Sequence, residues 1–142
     1  MFYEDYLKKM DSCPFCNLEE KEVLKENESA SLILAKAPYT KDHLLVIPKK
    51  HALSLEHYSE KEKEDIDKLI NFARKSIRKK YHNVSILYRE GDKKIVGKSI
   101  DHIHTHIIPN MMIGAVDINA HKRKILSEEN YLKLIEEARK LL

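Results

Sequence analysis

The stretch DHIHTHIIP, residues 101–109, constrains this chain more than any other. Histidine alternates there with Ile, Thr and Ile, and successive side chains of an extended strand point to opposite faces. The alternation predicts a strand over residues 100–108, ended by Pro109. His102, His104 and His106 would then share one face at spacings of about 7 Å. Ile103, Thr105 and Ile107 would take the other face and pack on a helix. Packing explains a face of three imidazoles poorly, because solvated strand faces ordinarily carry Lys, Glu or Thr.

Two chemistries suit such a face. Neutral imidazole is a common metal ligand. However, three ligands at alternate positions of a straight strand span about 13 Å, whereas zinc–nitrogen bonds are about 2 Å. All three reach one ion only if the strand bends. A row along a phosphate chain fits the spacing better, since imidazoles can meet successive oxygens or take different roles.

Around this strand, one long helix is plain. Ser59 and Glu62 form a capping-box pattern. Ile66, Leu69, Ile70, Ala73 and Ile77 mark one apolar face, and Lys75, Arg78, Lys79 and Lys80 crowd the end where cations favour the helix dipole. Tyr3, Tyr6, Leu7 and Met10 have helical spacing, and a C-terminal helix is expected from a Ser127 cap, with Tyr131, Leu134, Ile135, Ala138 and Leu142 inward. Residues 31–35, residues 44–47 before Pro48, and residues 84–88 before a turn at Glu90, Gly91 and Asp92 read as strands. Strands on both sides of one long helix predict an α+β domain with a mostly antiparallel sheet.

A length of 142 residues suits one domain. No apolar run approaches the roughly 18–20 residues of a membrane helix. The start, MFYEDYLKK, carries acids and no small-residue cleavage site, so a cytoplasmic protein without a membrane partner is expected. Residues 1–30 hold eight acids and four lysines, so a chain of net +3 carries +7 on its other 112 residues. That excess suits an anionic ligand. The lysines form no stripe with interleaved aromatics, which argues against nucleic acid as partner. Cys13 and Cys16 are the two cysteines, and in a cytoplasmic chain their spacing favours metal binding or redox work over a disulfide.

The segment DHIHTHIIP preceded by GKS, the upstream HLLVIPKKH beginning at His43, and the opening CPFC resemble, in the same order, the histidine triad (HIT) family of nucleotide hydrolases and transferases. The motifs span residues 13–109. The resemblance implies an α+β fold with a five-stranded antiparallel sheet, one long and one C-terminal helix, and sheets paired in a homodimer. It implies a single domain over residues 1–142, with its core at about 13–110 and a C-terminal extension with helix over 111–142. MMIGAVDINAHKRK, after Pro109, would lie near where substrate selectivity is decided, lining a base pocket or covering a partner chain.

The resemblance also implies chemistry. His104, the middle histidine, would attack the α-phosphorus of a nucleotide substrate, a nucleoside phosphoramidate or dinucleoside polyphosphate. The resulting covalent nucleotidyl-histidine would be resolved by water or another acceptor. Imidazole is a nucleophile only when neutral, which a pKa of about 6.5 allows at pH 7. A hydrogen bond from its other nitrogen to a backbone carbonyl would fix the required tautomer. His106 would bond phosphate oxygens and the leaving group, and His43 and His102 complete the expected catalytic set. Ser99, Lys98, His106 and Arg89 are the expected phosphate-binding set.

Three positions depart from the family. Ala35 stands where an acid often holds the ribose hydroxyls, Tyr88 or Arg89 replaces a frequent Asn, and Lys98 replaces a Gln. Lys98 either stabilises developing charge or faces solvent. Some members bind zinc through the counterparts of Cys13, Cys16, His51 and His102; such a closed tetrahedral site would be structural and outside the chemical step. The alternatives are a vestigial cysteine pair, a non-catalytic zinc-containing module that binds nucleotides or proteins, and a metal-dependent hydrolase with an open zinc position.

Overall fold

The computed structural model describes residues 2–113 and 127–139. The chain forms two compact units, Met1–Met111 and Met112–Leu142. The first is built on helix α2 (Glu60–Arg78), whose capping box forms as the sequence predicts. Ser59 Oγ accepts the Glu62 N–H at 3.1 Å, and the Glu62 carboxylate accepts the Ser59 N–H at 3.0 Å. Ile66, Leu69, Ala73 and Ile77 are buried on its inner face, with Ile70 packed beside them.

Five antiparallel strands lie against this helix in the order β1-β2-β3-β5-β4. They are β1 (Val23–Glu26), β2 (Ala30–Leu34), β3 (Leu44–Pro48), β4 (Val84–Leu87) and β5 (Thr105–Pro109). Every residue of the central β3 is buried, because the pleat sends alternate side chains into two separate cores. Leu44 and Val46 join Ala30, Leu32, Ile103 and Ile107 under α2. Leu45 and Ile47 join Ile33, Ala35, Phe15 and Ile100 on the opposite face. There the short helix α1 (Tyr3–Lys8) contributes Tyr3 and Leu7.

Among the described residues, one strand and one short α-helix escaped the pattern reading. Strand β1 sits at the sheet edge and is half-buried only at Val23, so no alternation of apolar residues marks it. Helix α3 (Lys93–Val96) is one turn long, capped by the Asp92 carboxylate and ended by Gly97 at φ +76°, the left-handed conformation that glycine takes without penalty.

The last strand is shorter than expected. Its ladder with β3 pairs Leu44 with Ile107, Leu45 with His106 and Val46 with Thr105, and stops there. Continued, it would set Pro48, which has no N–H, opposite Ile103. The Ile103 N–H instead bonds the Ala52 carbonyl at 2.8 Å. His102 and His104 therefore precede β5, and the straight row of three histidines is not formed.

In the second unit, helix α4 (Glu128–Arg139) begins where the Ser127 cap was expected, and Ser127 Oγ accepts the Asn130 N–H at 3.3 Å. Leu134 is exposed rather than inward and Ile135 is half-buried. The side chains of the expected inward positions Tyr131 and Ala138, together with Leu142 and most of MMIGAVDINAHKRK, lie outside what the structure describes. Among the described residues no helix is long and apolar enough to cross a membrane.

Candidate active site

The hairpin between β2 and β3 and the segment before β5 bring three of the predicted histidines to one cavity of about 430 Å³, walled by His43, His104 and His106. That volume is within the usual range for small-ligand sites. His106 comes from β5 itself, and His43 immediately precedes β3. The rings of His104 and His106 stand 4.9 Å apart, tilted by 58°. That is closer than strand alternation would place them, because His104 lies before the ladder begins.

Each ring has a hydrogen bond that orders its protons. His104 Nδ1 lies 2.7 Å from the His102 carbonyl oxygen. A carbonyl only accepts, so Nδ1 carries the proton and Nε2 keeps its lone pair. The backbone N–H of Tyr39 donates to His43 Nδ1 at 3.2 Å, which places the His43 proton on Nε2. His43 Nε2 is 2.9 Å from His106 Nδ1 and donates to it. His106 thus bears its own proton on Nε2. Arg89 Nη1, 3.5 Å away and itself only a donor, makes no hydrogen bond to that atom, and the two N–H donors stand side by side at the cavity. The Tyr39 ring stacks on His43 at 5.2 Å and 11°.

Electrostatics keep these rings uncharged. Burial lowers the His43 pKa to about 4, with the His104 charge adding to it. Burial, then His104, His43 and Arg89, lower that of His106 to about 3. His104 is also lowered, mainly by burial, against which its bond to the His102 carbonyl acts. A neutral imidazole with a free lone pair facing a cavity is a competent nucleophile.

The cavity wall leans positive. Lys36, Arg89 and Lys98 line it, against the single acid Glu4. Lys36 is already paired with Glu22 at 2.7 Å. The Lys98 side chain is only 6% exposed, with Nζ 3.3 Å from Asp101; the solvent-facing alternative for Lys98 is thereby excluded. Ser99 lines the cavity, as does Ala35, where an acid was missing from the sequence pattern. Tyr39, Phe15 and Glu4 were not anticipated. They sit in a loop or near the N-terminus, where no periodicity or motif draws notice to them, and Phe15 was visible only as the F of CPFC.

His102 has a different place. Its ring is 1% exposed, is absent from the cavity wall, and meets the site only through its carbonyl. Of the expected catalytic set His102 alone lies off the cavity wall, its carbonyl rather than its ring meeting His104. The reason is Pro48, whose carbonyl takes the His102 Nε2–H at 2.7 Å and turns Nδ1 toward the cysteines. The donor atoms of Cys13, Cys16, His51 and His102 all lie within 4.8 Å of one another. Cys16 Sγ is 3.2 Å from His51 Nδ1, and both thiols are 3.5 Å from His102 Nδ1. With zinc–sulfur and zinc–nitrogen bonds of about 2.3 and 2.05 Å, the sulfur–nitrogen edge of a tetrahedron is about 3.5 Å. The donor set and spacing fit zinc, and the Pro48 bond supplies the outer contact that usually orients a ligating histidine.

The HIT domain family matches residues 18–112. An uncharacterized HIT-like protein of Mycoplasma genitalium is 30% identical over 135 residues, covering 90% of this chain and 94% of that protein. An adenosine 5'-monophosphoramidase of Schizosaccharomyces pombe is 33% identical over 102 residues, covering 69% of this chain and 74% of its own. Among solved structures, a zinc-bound histidine triad family protein from Mycobacterium smegmatis superposes with a TM-score of 0.60 at 25% identity, covering 70% of this chain and 76% of that one.

Proposed function

Because the chain belongs to the HIT domain family, we propose that it is a nucleotide hydrolase or nucleotidyl transferase in which His104 is the nucleophile. The substrate is a nucleoside phosphoramidate or a dinucleoside polyphosphate, cleaved at the α-phosphate. The observation that carries this reading is the bond from His104 Nδ1 to the His102 carbonyl, which leaves Nε2 unprotonated beside a positively lined cavity. Similarity to an adenosine 5'-monophosphoramidase supports the substrate class.

The His104 Nε2 lone pair forms a bond to the α-phosphorus as the bond from phosphorus to the leaving group breaks. The departing group takes the electron pair and, where its basicity requires one, a proton from water. A second acceptor, water in hydrolysis, then bonds to phosphorus, returns the electron pair to Nε2 and releases its proton to solvent. His106 offers its Nε2–H to phosphate oxygens or the departing atom. Arg89 and Lys98 supply charge and Ser99 a hydroxyl. Two displacements at one phosphorus predict overall retention of configuration. Acid quench during turnover followed by mass spectrometry should find one nucleotidyl group on His104. A quench that traps no adduct, with inversion at phosphorus, rejects the mechanism.

Cys13, Cys16, His51 and His102 would hold structural zinc. Bound there, the ion would fix the N-terminal segment to the sheet, and its four protein donors would leave no open position for catalysis. The neutral nucleophile needs no metal. A homodimer belongs to the same reading: edge strand β4 exposes Ile86, and Tyr88 beyond it is also exposed. Sedimentation at micromolar concentration tests it.

A further inference from the structure

Residues 42 and 43 divide between the two faces of the sheet. His43 lines the cavity together with Leu45. Asp42, with the parity of Leu44, reaches the α2 side, where the Tyr81 hydroxyl donates to its carboxylate and Lys80 Nζ lies 3.2 Å away. Both partners follow the C-terminal end of α2. Asp42 has φ +65°, a left-handed conformation that Asn and Asp, with short polar side chains that bond locally, adopt more readily than other non-glycine residues. The His43 N–H closes the turn onto the Thr40 carbonyl at 3.3 Å, and the Ala35 N–H bonds the His43 carbonyl at 2.8 Å. The loop so held carries Tyr39, whose amide donates to His43 Nδ1.

We propose that Asp42, clamped by Tyr81 and Lys80, is a positioning residue that sets the proton polarity of the His43–His106 pair from the far side of the sheet. The clamp holds the turn, the turn holds the Tyr39 amide against His43 Nδ1, and that amide excludes a proton there. His43 must then donate from Nε2, and His106 must present its own Nε2–H to the cavity. Without the clamp, the Tyr39 amide is free to leave and His43 to carry its proton on either nitrogen. In the wrong tautomer His43 offers a lone pair to His106, whose proton moves to Nδ1, and the cavity loses a donor. The value of that donor to turnover rests on the function proposed above; the tautomers do not.

Two measurements separate these claims. Long-range ¹⁵N–¹H spectra of the full chain, assigned by single histidine substitutions, report each ring's tautomer without any turnover. The wild type should show His43 and His106 both protonated at Nε2. Asp42→Gly, which keeps the turn conformation accessible, and Tyr81→Phe, which keeps the half-buried ring, should both shift His43 toward an average of two tautomers. Asp42→Asn, which tolerates positive φ and still accepts the Tyr81 hydrogen bond, should keep the wild-type spectrum. In turnover of a nucleoside phosphoramidate, Asp42→Gly and Tyr81→Phe should lower kcat by about tenfold with KM within about twofold, the partial loss of a donor worth 10²–10⁴, and Asp42→Asn should restore it. An Nδ1 proton on either ring of the wild type, or unchanged tautomers in both disruptive variants, overturns the clamp. The predicted spectra in a protein that forms no adduct on His104 would leave the clamp standing and remove the proposed chemistry.

Discussion

His104 donates its Nδ1 proton to the main-chain carbonyl of His102 at 2.7 Å. One histidine of the run thereby determines which nitrogen its neighbour shows to the cavity, while the ring of His102 is engaged elsewhere. The relationship couples the segment before β5 to the chemistry, and the four expectations below follow from it and from the groups around it.

Replacing His104 by Ala should reduce turnover more than about a thousandfold, as removal of an essential nucleophile does. The ring is only partly buried, and its one hydrogen bond among the described residues is to the carbonyl two residues before it. The stability change should stay within about 1 kcal/mol. Paired steady-state assays and thermal melts check this; a variant that turns over at the wild-type rate removes His104 from the mechanism.

Purification without chelator should yield about one zinc per chain, and Cys16→Ser or His51→Ala should lower that content and the melting temperature together. Chelation should leave the initial turnover rate of still-folded protein unchanged. A rate that vanishes with the metal and returns with it would favour metal-dependent hydrolysis.

Acid should destabilise the fold through His43 and His106. Their folded pKa values, about 4 and about 3, lie below the unfolded value of about 6.5. Between these limits the unfolded chain binds more protons, so stability rises with pH, by up to about 1.4 kcal/mol per unit for each ring. The contribution is complete above pH 6.5 and is lost as pH falls, toward 4 for His43 and toward 3 for His106. Urea titrations from pH 7.5 to 4.5 should show the decline, and His43→Gln should flatten it.

Arg89→Met should lower kcat/KM by about 10- to 100-fold, the worth of one hydrogen bond to a charged group, and Arg89→Lys should recover part of it. Arg89 reaches the cavity beside His106 Nε2. Equal losses in the Lys and Met variants would show that the guanidinium fork matters rather than the charge; no loss in either would place Arg89 outside the phosphate site.

Much of this organisation is legible along the chain. Helix α2 is announced by its capping box and apolar stripe, and β2, β3 and β4 by short apolar runs near turn residues, because these signals are local and need no distant partner. Strand β1 was not legible: VLKE pairs at an exposed edge, and its existence depends on β2 offering it a ladder. The extent of β5 was misjudged for a related reason. Alternation continues through His102, but ladder pairing ends where Pro48 and Ala52 redirect the partner chain.

By itself the sequence determined the two-faced alternation of strands, the length and polarity of α2, and the identity of the chemistry-bearing groups. Those follow from the periodicity of side chains on a regular backbone. Only the tertiary structure decided how the histidines divide: two with His43 at the cavity, one with cysteines as many as 89 positions away. It alone placed the Tyr39 amide on His43 and Asp42 against Tyr81. A ring's tautomer and orientation depend on which donor or acceptor it meets, and those partners are brought close by packing across the sheet, not by spacing along the chain.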